Sequence, residues 1–100
     1  MILVRNVFQM KFGKASEVVA LWKEGQAIIS RVGVTKSTTR ILTDLTGPSY
    51  TLVFEMTFAS LAALEQSTQE HFGNPEWKTW YAKVVPLLEN SHREIYTVIE

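Results

Sequence analysis

No cysteine occurs among the 100 residues, so neither a disulfide nor a thiolate metal site can form. Prolines number three and glycines five, and no linker or low-complexity tract interrupts the chain. An excess charge of one sign is missing too. Ten basic and ten acidic residues cancel without any run of like charge, so neither nucleic acid nor an anionic membrane is an expected partner. No apolar run approaches the length of a transmembrane helix. The opening Met1–Val4 meets Arg5 and Asn6 too soon for a signal-peptide core. A soluble cytoplasmic protein is the expectation. The two histidines, His71 and His92, stand 21 residues apart and make no zinc motif. Neither a phosphate-cradling glycine loop nor a G-x-S-x-G elbow is present. No metal and no cofactor is expected.

What is present is an ordinary globular composition, 46% hydrophobic and 20% charged. At this length the chain makes one domain, residues 1–100, able to bury roughly two-thirds of its unfolded surface. The most informative stretch is His71-Phe72-Gly73-Asn74-Pro75-Glu76-Trp77-Lys78-Thr79-Trp80-Tyr81. Asn before Pro before Glu is the pattern of a helix start. The Asn side chain accepts an orphan backbone N–H, Pro loses no hydrogen bond at the first position, and Glu faces the positive end of the dipole.

Along the chain, residues 1–11 alternate around Ile2, Val4, Phe8 and Met10 as a strand, with Leu3 and Val7 on the other parity, and Gly13 ends it. Val18, Leu21, Trp22, Gly25, Ile28, Ile29 and Val32 then recur at helical spacing over about 15–32, with Gly33 as the cap. Gly25 costs about 1 kcal/mol against Ala within this helix, and a close approach of helix to sheet would explain it. Thr-rich residues 35–43 suit an edge strand, and Asp44-Leu45-Thr46-Gly47-Pro48 is turn chemistry. Tyr50 to Phe58 alternate as the clearest strand. Ser60 caps a helix with Leu61, Leu64, Thr68, His71 and Phe72 along one side, ended by Gly73. After Asn74 a second apolar stripe runs through Trp77, Trp80, Tyr81, Val84, Val85 and Leu88, with a kink or early end near Val85 because Pro86 cannot donate. A last strand occupies about 93–99.

Strand, helix, strand, strand, broken helix, strand is the α+β ferredoxin-like order βαββαβ. It implies a four-stranded antiparallel sheet with helices on one face. Several strands are apolar on both parities, yet so short a chain covers only one sheet face with its own helices. The economical solution is a homodimer packed through the other face. Arg5 and Glu55, on the odd parity of adjacent strands, are expected to pair there, whereas Arg40 reads as a solvated edge charge.

With that order in place, the chain resembles the dimeric α/β-barrel superfamily, and within it the NIPSNAP-like and antibiotic-biosynthesis-monooxygenase-like families. The resemblance rests on the opening strand with Asn6 and on Lys11-Phe12-Gly13-Lys14 before the first helix. It rests also on Leu52–Phe58 running into Ser60-Leu61-Ala62-Ala63-Leu64-Glu65, on the Asn74-Pro75-Glu76-Trp77 turn, and on Val85-Pro86-Leu87-Leu88-Glu89. It implies a pocket in each protomer between sheet and helices. Oxygenase relatives there attack polycyclic aromatic or quinol substrates without metal or flavin. A haem-degrading branch resembles the chain at Asn6 but departs from it near Glu65, where that branch is aromatic, so haem is not expected.

Projected onto this sequence, the pocket-facing parity is Val4, Asn6, Phe8, Tyr50, Leu52, Phe54 and Met56, opposite Trp22, His71, Trp77, Trp80 and Tyr81. The candidate catalytic residues are Asn6 to orient substrate, with His71 or Tyr81 to handle protons. Trp22, Phe54 and Trp80 are the candidate substrate-binding residues for a small apolar or aromatic ligand. Each has a structural alternative. Asn6 can bond a neighbouring loop, His71 can be a half-exposed residue closing a helix end, and an aromatic stripe can be plain core, which is the expectation for Trp77. Two functions follow. One is a cofactor-independent monooxygenase-like enzyme; the other is a non-catalytic binding or assembly module whose pocket is filled by side chains.

Overall fold

The computed structural model describes residues 1–100. The elements run β1 (Ile2–Met10), α1 (Ala15–Val32), β2 (Thr38–Thr43), β3 (Thr51–Phe58), α2 (Leu61–Phe72), α3 (Pro75–Val84), a 3-10 turn (Val85–Leu87) and β4 (Leu88–Thr97). The four strands form one sheet in the order β2-β3-β1-β4, every neighbouring pair antiparallel. This is the expected ferredoxin-like arrangement, with α2 and α3 as the broken second helix and β2 as an edge strand. No helix is long and apolar enough to cross a membrane.

Local chemistry sets the boundaries. Ser60 Oγ accepts from Ala63 N at 3.1 Å to start α2. Asn74 Oδ1 accepts from Glu76 N at 2.9 Å and Trp77 N at 3.3 Å to start α3. The helix ends at Val84, where Pro86 forces the tighter turn. Val85 and Leu88, expected to extend the apolar stripe, therefore fall outside the helix. β4 then begins at Leu88, five residues before the expected 93. Its first half escaped notice because Glu89–Arg93 are polar, as an edge strand permits.

Gly25 answers to α3 and not to the sheet. A Cβ built there would lie 2.5 Å and 2.7 Å from two carbons of the Trp80 indole. Trp80 is itself buried, so neither side can give way without repacking. We expect Gly25→Ala to cost about 1–3 kcal/mol, against its gain in helix propensity, as read by urea denaturation. Gly33 does end α1, but in extended backbone (φ −78°, ψ 135°), so the left-handed cap is not used.

Only one sheet face is covered, and the molecule is 18 Å thick along its shortest axis. On the covered face the apolar side chains form two separate clusters. The larger joins Trp22, Ile28, Leu52, Phe54, Trp80 and Val84; the smaller joins Val4, Phe58 and Leu64. The gap between them is what the site is made of.

On the uncovered face, Arg40, Glu55, Arg5 and Glu94 stand in register across all four strands, with alternating charge. Arg40 Nε donates to Glu55 Oε1 at 2.9 Å, Arg5 Nε to Glu55 Oε2 at 3.2 Å, and Arg5 Nη1 to Glu94 Oε1 at 2.7 Å. Arg40 is the solvated edge charge expected, its side chain 69% exposed, and it is also a partner of Glu55. His92 and then Tyr96, by hydrogen bonding, hold the Glu94 carboxyl below the usual carboxylate range. The row is internally satisfied. Leu3, Val7, Leu42 and Val53 share this face with it.

Candidate functional site

Between the two apolar clusters lies a cavity of about 590 Å³. Its floor is the covered face of β1 and β3: Asn6, Phe8, Phe54 and Met56. Trp22 and Ile29 of α1 wall one side, and Leu64, Ser67 and His71 of α2 another. The broken helix closes the third side. The chain turns at Gly73-Asn74, so His71 before the corner and Trp77 after it face one another with ring centroids 5.5 Å apart. Tyr81 stands at the rim, 56% exposed.

Two polar atoms in this wall lack partners. Trp22 Nε1 and His71 Nε2 are buried and make no hydrogen bond. Leaving a buried polar group unpaired costs about 1–3 kcal/mol, and native structures seldom do so without reason. The contrast with Trp80 is informative, since its Nε1 donates to Leu21 O at 2.5 Å. Trp22 is fixed by rings on three sides, stacked on Phe54 at 4.7 Å, tilted to Phe8 at 4.9 Å and edge-on to Trp80 at 4.8 Å. His71 is 6% exposed and is therefore not the half-exposed residue expected at a helix end. Gly33 packs against it, since a Cβ there would lie 3.4 Å from His71 Nε2, at ordinary contact distance. Glu70 ties the chain after α1 over this corner. Thr35 Oγ1 donates to Glu70 Oε2 at 2.8 Å, which holds that carboxyl below its usual range.

The opposite end of the cavity is polar. Asn6 and Arg93 are register partners across β1 and β4, and Arg93 Nε donates to Asn6 Oδ1 at 2.9 Å. Lys78 and Ser91 also line the cavity. No three His, Cys, Asp or Glu side chains converge to hold a metal ion.

Five of the six residues singled out from the sequence, Asn6, Trp22, Phe54, His71 and Tyr81, meet at this one cavity. Trp80 does not. It is 1% exposed in the main core, while Trp77, expected to be core, lines the cavity instead. The two tryptophans have exchanged places because Gly25 admits the Trp80 indole against α1. Arg93 and Lys78 were missed. Arg93 already stood at the start of the expected last strand, and only the register of β4 against β1 sets it opposite Asn6.

A family model described as NIPSNAP matches residues 5–100. In structure the chain is similar to an uncharacterised NIPSNAP domain protein from Burkholderia xenovorans (18% identity, 99% of this chain and 95% of that chain, TM-score 0.88). A NIPSNAP family protein from Agrobacterium tumefaciens is comparably similar (19% identity, 99% and 86% coverage, TM-score 0.88). The fold extends to a candidate antibiotic biosynthesis monooxygenase from Nitrosomonas europaea (14% identity, 100% of both chains, TM-score 0.77). No curated protein matches the chain.

Proposed function

This chain belongs to the NIPSNAP family, and on that premise we propose that it is a homodimeric small-molecule protein whose protomers each admit one flat apolar ligand. The observation that carries this reading is the cavity itself, walled by the rings of Phe8, Trp22, Phe54, His71 and Trp77 with Asn6 among them. At about 590 Å³ the cavity falls in the range usual for small-ligand sites, roughly 300–1,000 Å³. Its aromatic walls and few polar groups are the composition such sites have. A pocket filled by its own side chains, the non-catalytic alternative, has this open volume against it.

The reaction we propose is a cofactor-independent monooxygenation of an aromatic ligand. Its support is the likeness in fold to candidate antibiotic biosynthesis monooxygenases, together with the residues at the cavity. His71 would take a proton from an electron-rich substrate, and Asn6 would orient the resulting anion. The substrate then supplies the electrons to dioxygen. One oxygen atom enters the ring system and the other leaves as water with two substrate hydrogens. Tyr81, at the rim, would pass protons to solvent.

An oxygen electrode with a polycyclic quinol tests the reaction. We expect consumption above the protein-free rate, and His71→Gln to lower it about a hundredfold with binding changed only a few-fold. Binding without oxygen uptake would remove the enzyme reading and leave the binding one.

A further inference from the structure

We infer that the ligand is an organic anion, a flat aromatic body bearing one carboxylate or similarly delocalised oxyanion, held at the Asn6–Arg93 end of the cavity. The inference rests on the reading of the cavity as a ligand site and adds the ligand's charge and orientation. It begins with a census. The chain carries equal numbers of acidic and basic residues, yet none of its ten acidic side chains lines the cavity. Arg93, Lys78 and His71 do. In a chain of zero net charge, that segregation leaves basic groups and no carboxylate around the cavity.

The state of the arginines points the same way. Arg5 is paired with Glu55 and Glu94, Arg40 with Glu55, and Arg31 with Glu76. Arg93 is the fourth and has no carboxylate partner; its one hydrogen bond is the donation from Nε to Asn6 Oδ1. The neighbouring acids are engaged elsewhere. Glu94, one residue along β4, lies on the opposite sheet face with Arg5 and Tyr96. Glu70 is held by Thr35, and Glu76 by Arg31.

That single bond also fixes the chemistry of the end. A guanidinium nitrogen can only donate, so the Asn6 amide must turn its oxygen toward Arg93 and its NH₂ away. The Asn6 Nδ2 and the two terminal nitrogens of Arg93 are left without protein partners. All three are donors, and the local acceptor is already used. A donor-only cluster on a planar fork suits a carboxylate or a delocalised oxyanion and rejects an ammonium. Phe8 follows Asn6 by two residues on the same strand face, roughly 7 Å along the strand. An oxyanion attached directly to an aromatic ring would therefore lay that ring over Phe8, toward Trp22 and Phe54.

Isothermal titration calorimetry with three naphthalenes of one shape tests this: 2-naphthoate, 2-naphthalenemethanol and 2-naphthylmethylammonium. We expect naphthoate to bind about tenfold to a hundredfold tighter than the alcohol, and the ammonium to bind weakest. Arg93→Gln should abolish the preference for naphthoate, bringing its affinity down to about that of the alcohol. Arg31→Gln, a surface arginine outside the cavity, should change neither. Equal affinity for naphthoate and the alcohol overturns the inference but leaves the cavity a ligand site. A preference that survives Arg93→Gln also overturns it. Binding of none of the three removes the reading of the cavity itself.

Discussion

Trp80→Ala will cost about 3–5 kcal/mol, a large share of the 5–15 kcal/mol that holds a domain of this size together. Trp80 is 1% exposed and is the largest fully buried side chain. Its ring centroid lies 4.8 Å from Trp22 and 4.6 Å from Trp77, and its indole nitrogen ties α3 to the Leu21 carbonyl of α1. Truncation removes all three interactions and leaves a void that close-packed neighbours fill only in part. At about 4–8 °C per kcal/mol, the melting temperature should fall by roughly 12–40 °C. The notch that receives Trp80 provides an internal check. Gly25→Ala should be destabilising in the parent and neutral or stabilising in the Trp80→Ala background, because the added methyl then meets no ring. Chemical denaturation of the four-member cycle reads that coupling. Additive effects would mean that the close approach of Gly25 to Trp80 does not govern the packing of α1 on α3.

Val7→Lys will convert the proposed dimer to monomer, weakening association by about a hundredfold or more, as measured by sedimentation. The argument comes from the bare face of the sheet. Only 17 of 100 residues are buried, because the three helices all lie on the other side. Across the bare face the Arg40–Glu55–Arg5–Glu94 row satisfies its own charges. Covering it therefore leaves no lone ion, and the flanking Leu3, Val7 and Leu42, only partly buried in the protomer, gain burial. Val7 sits on central strand β1, between Val53 and His92, where an ammonium has no short path to water. In the monomer that position is open enough for lysine, so folding should survive. Gln69→Lys, on the exposed side of α2, is the control and should leave the oligomer intact. A parent protein that sediments as a monomer at micromolar concentration would contradict the dimer outright.

The sequence was a good guide wherever periodicity or capping decides the outcome. Asn74-Pro75 and Ser60 declare their helices because side-chain caps are local chemistry. The parity of β1 and β3 correctly set Asn6, Phe8 and Phe54 on one face. What stayed hidden depends on contacts between elements. Trp77 and Trp80 belong to the same apolar stripe, and only the absence of a side chain at Gly25 decides which one enters the core. Helical spacing carries no such information. Arg93 stayed hidden because its place opposite Asn6 depends on the register of β4 against β1, which periodicity does not carry. The charge row was half legible, in Arg5 and Glu55. Its extension to Arg40 and Glu94 needed the register of all four strands. His71 was misjudged as half-exposed because a helix-end position says nothing about the loop, here Thr35 with Glu70, that folds over it.

The cavity as a ligand site is best tested by a heteronuclear NMR titration with 2-naphthol, following the three tryptophan indole N–H signals. The Trp22 signal should move in a saturable manner, because its indole lines the cavity and a bound ring would shift it. That of Trp77, on the wall, should follow, while that of Trp80, bonded to Leu21, should move least. An unmoved Trp22 signal, with shifts confined to surface amides or absent, would contradict the account.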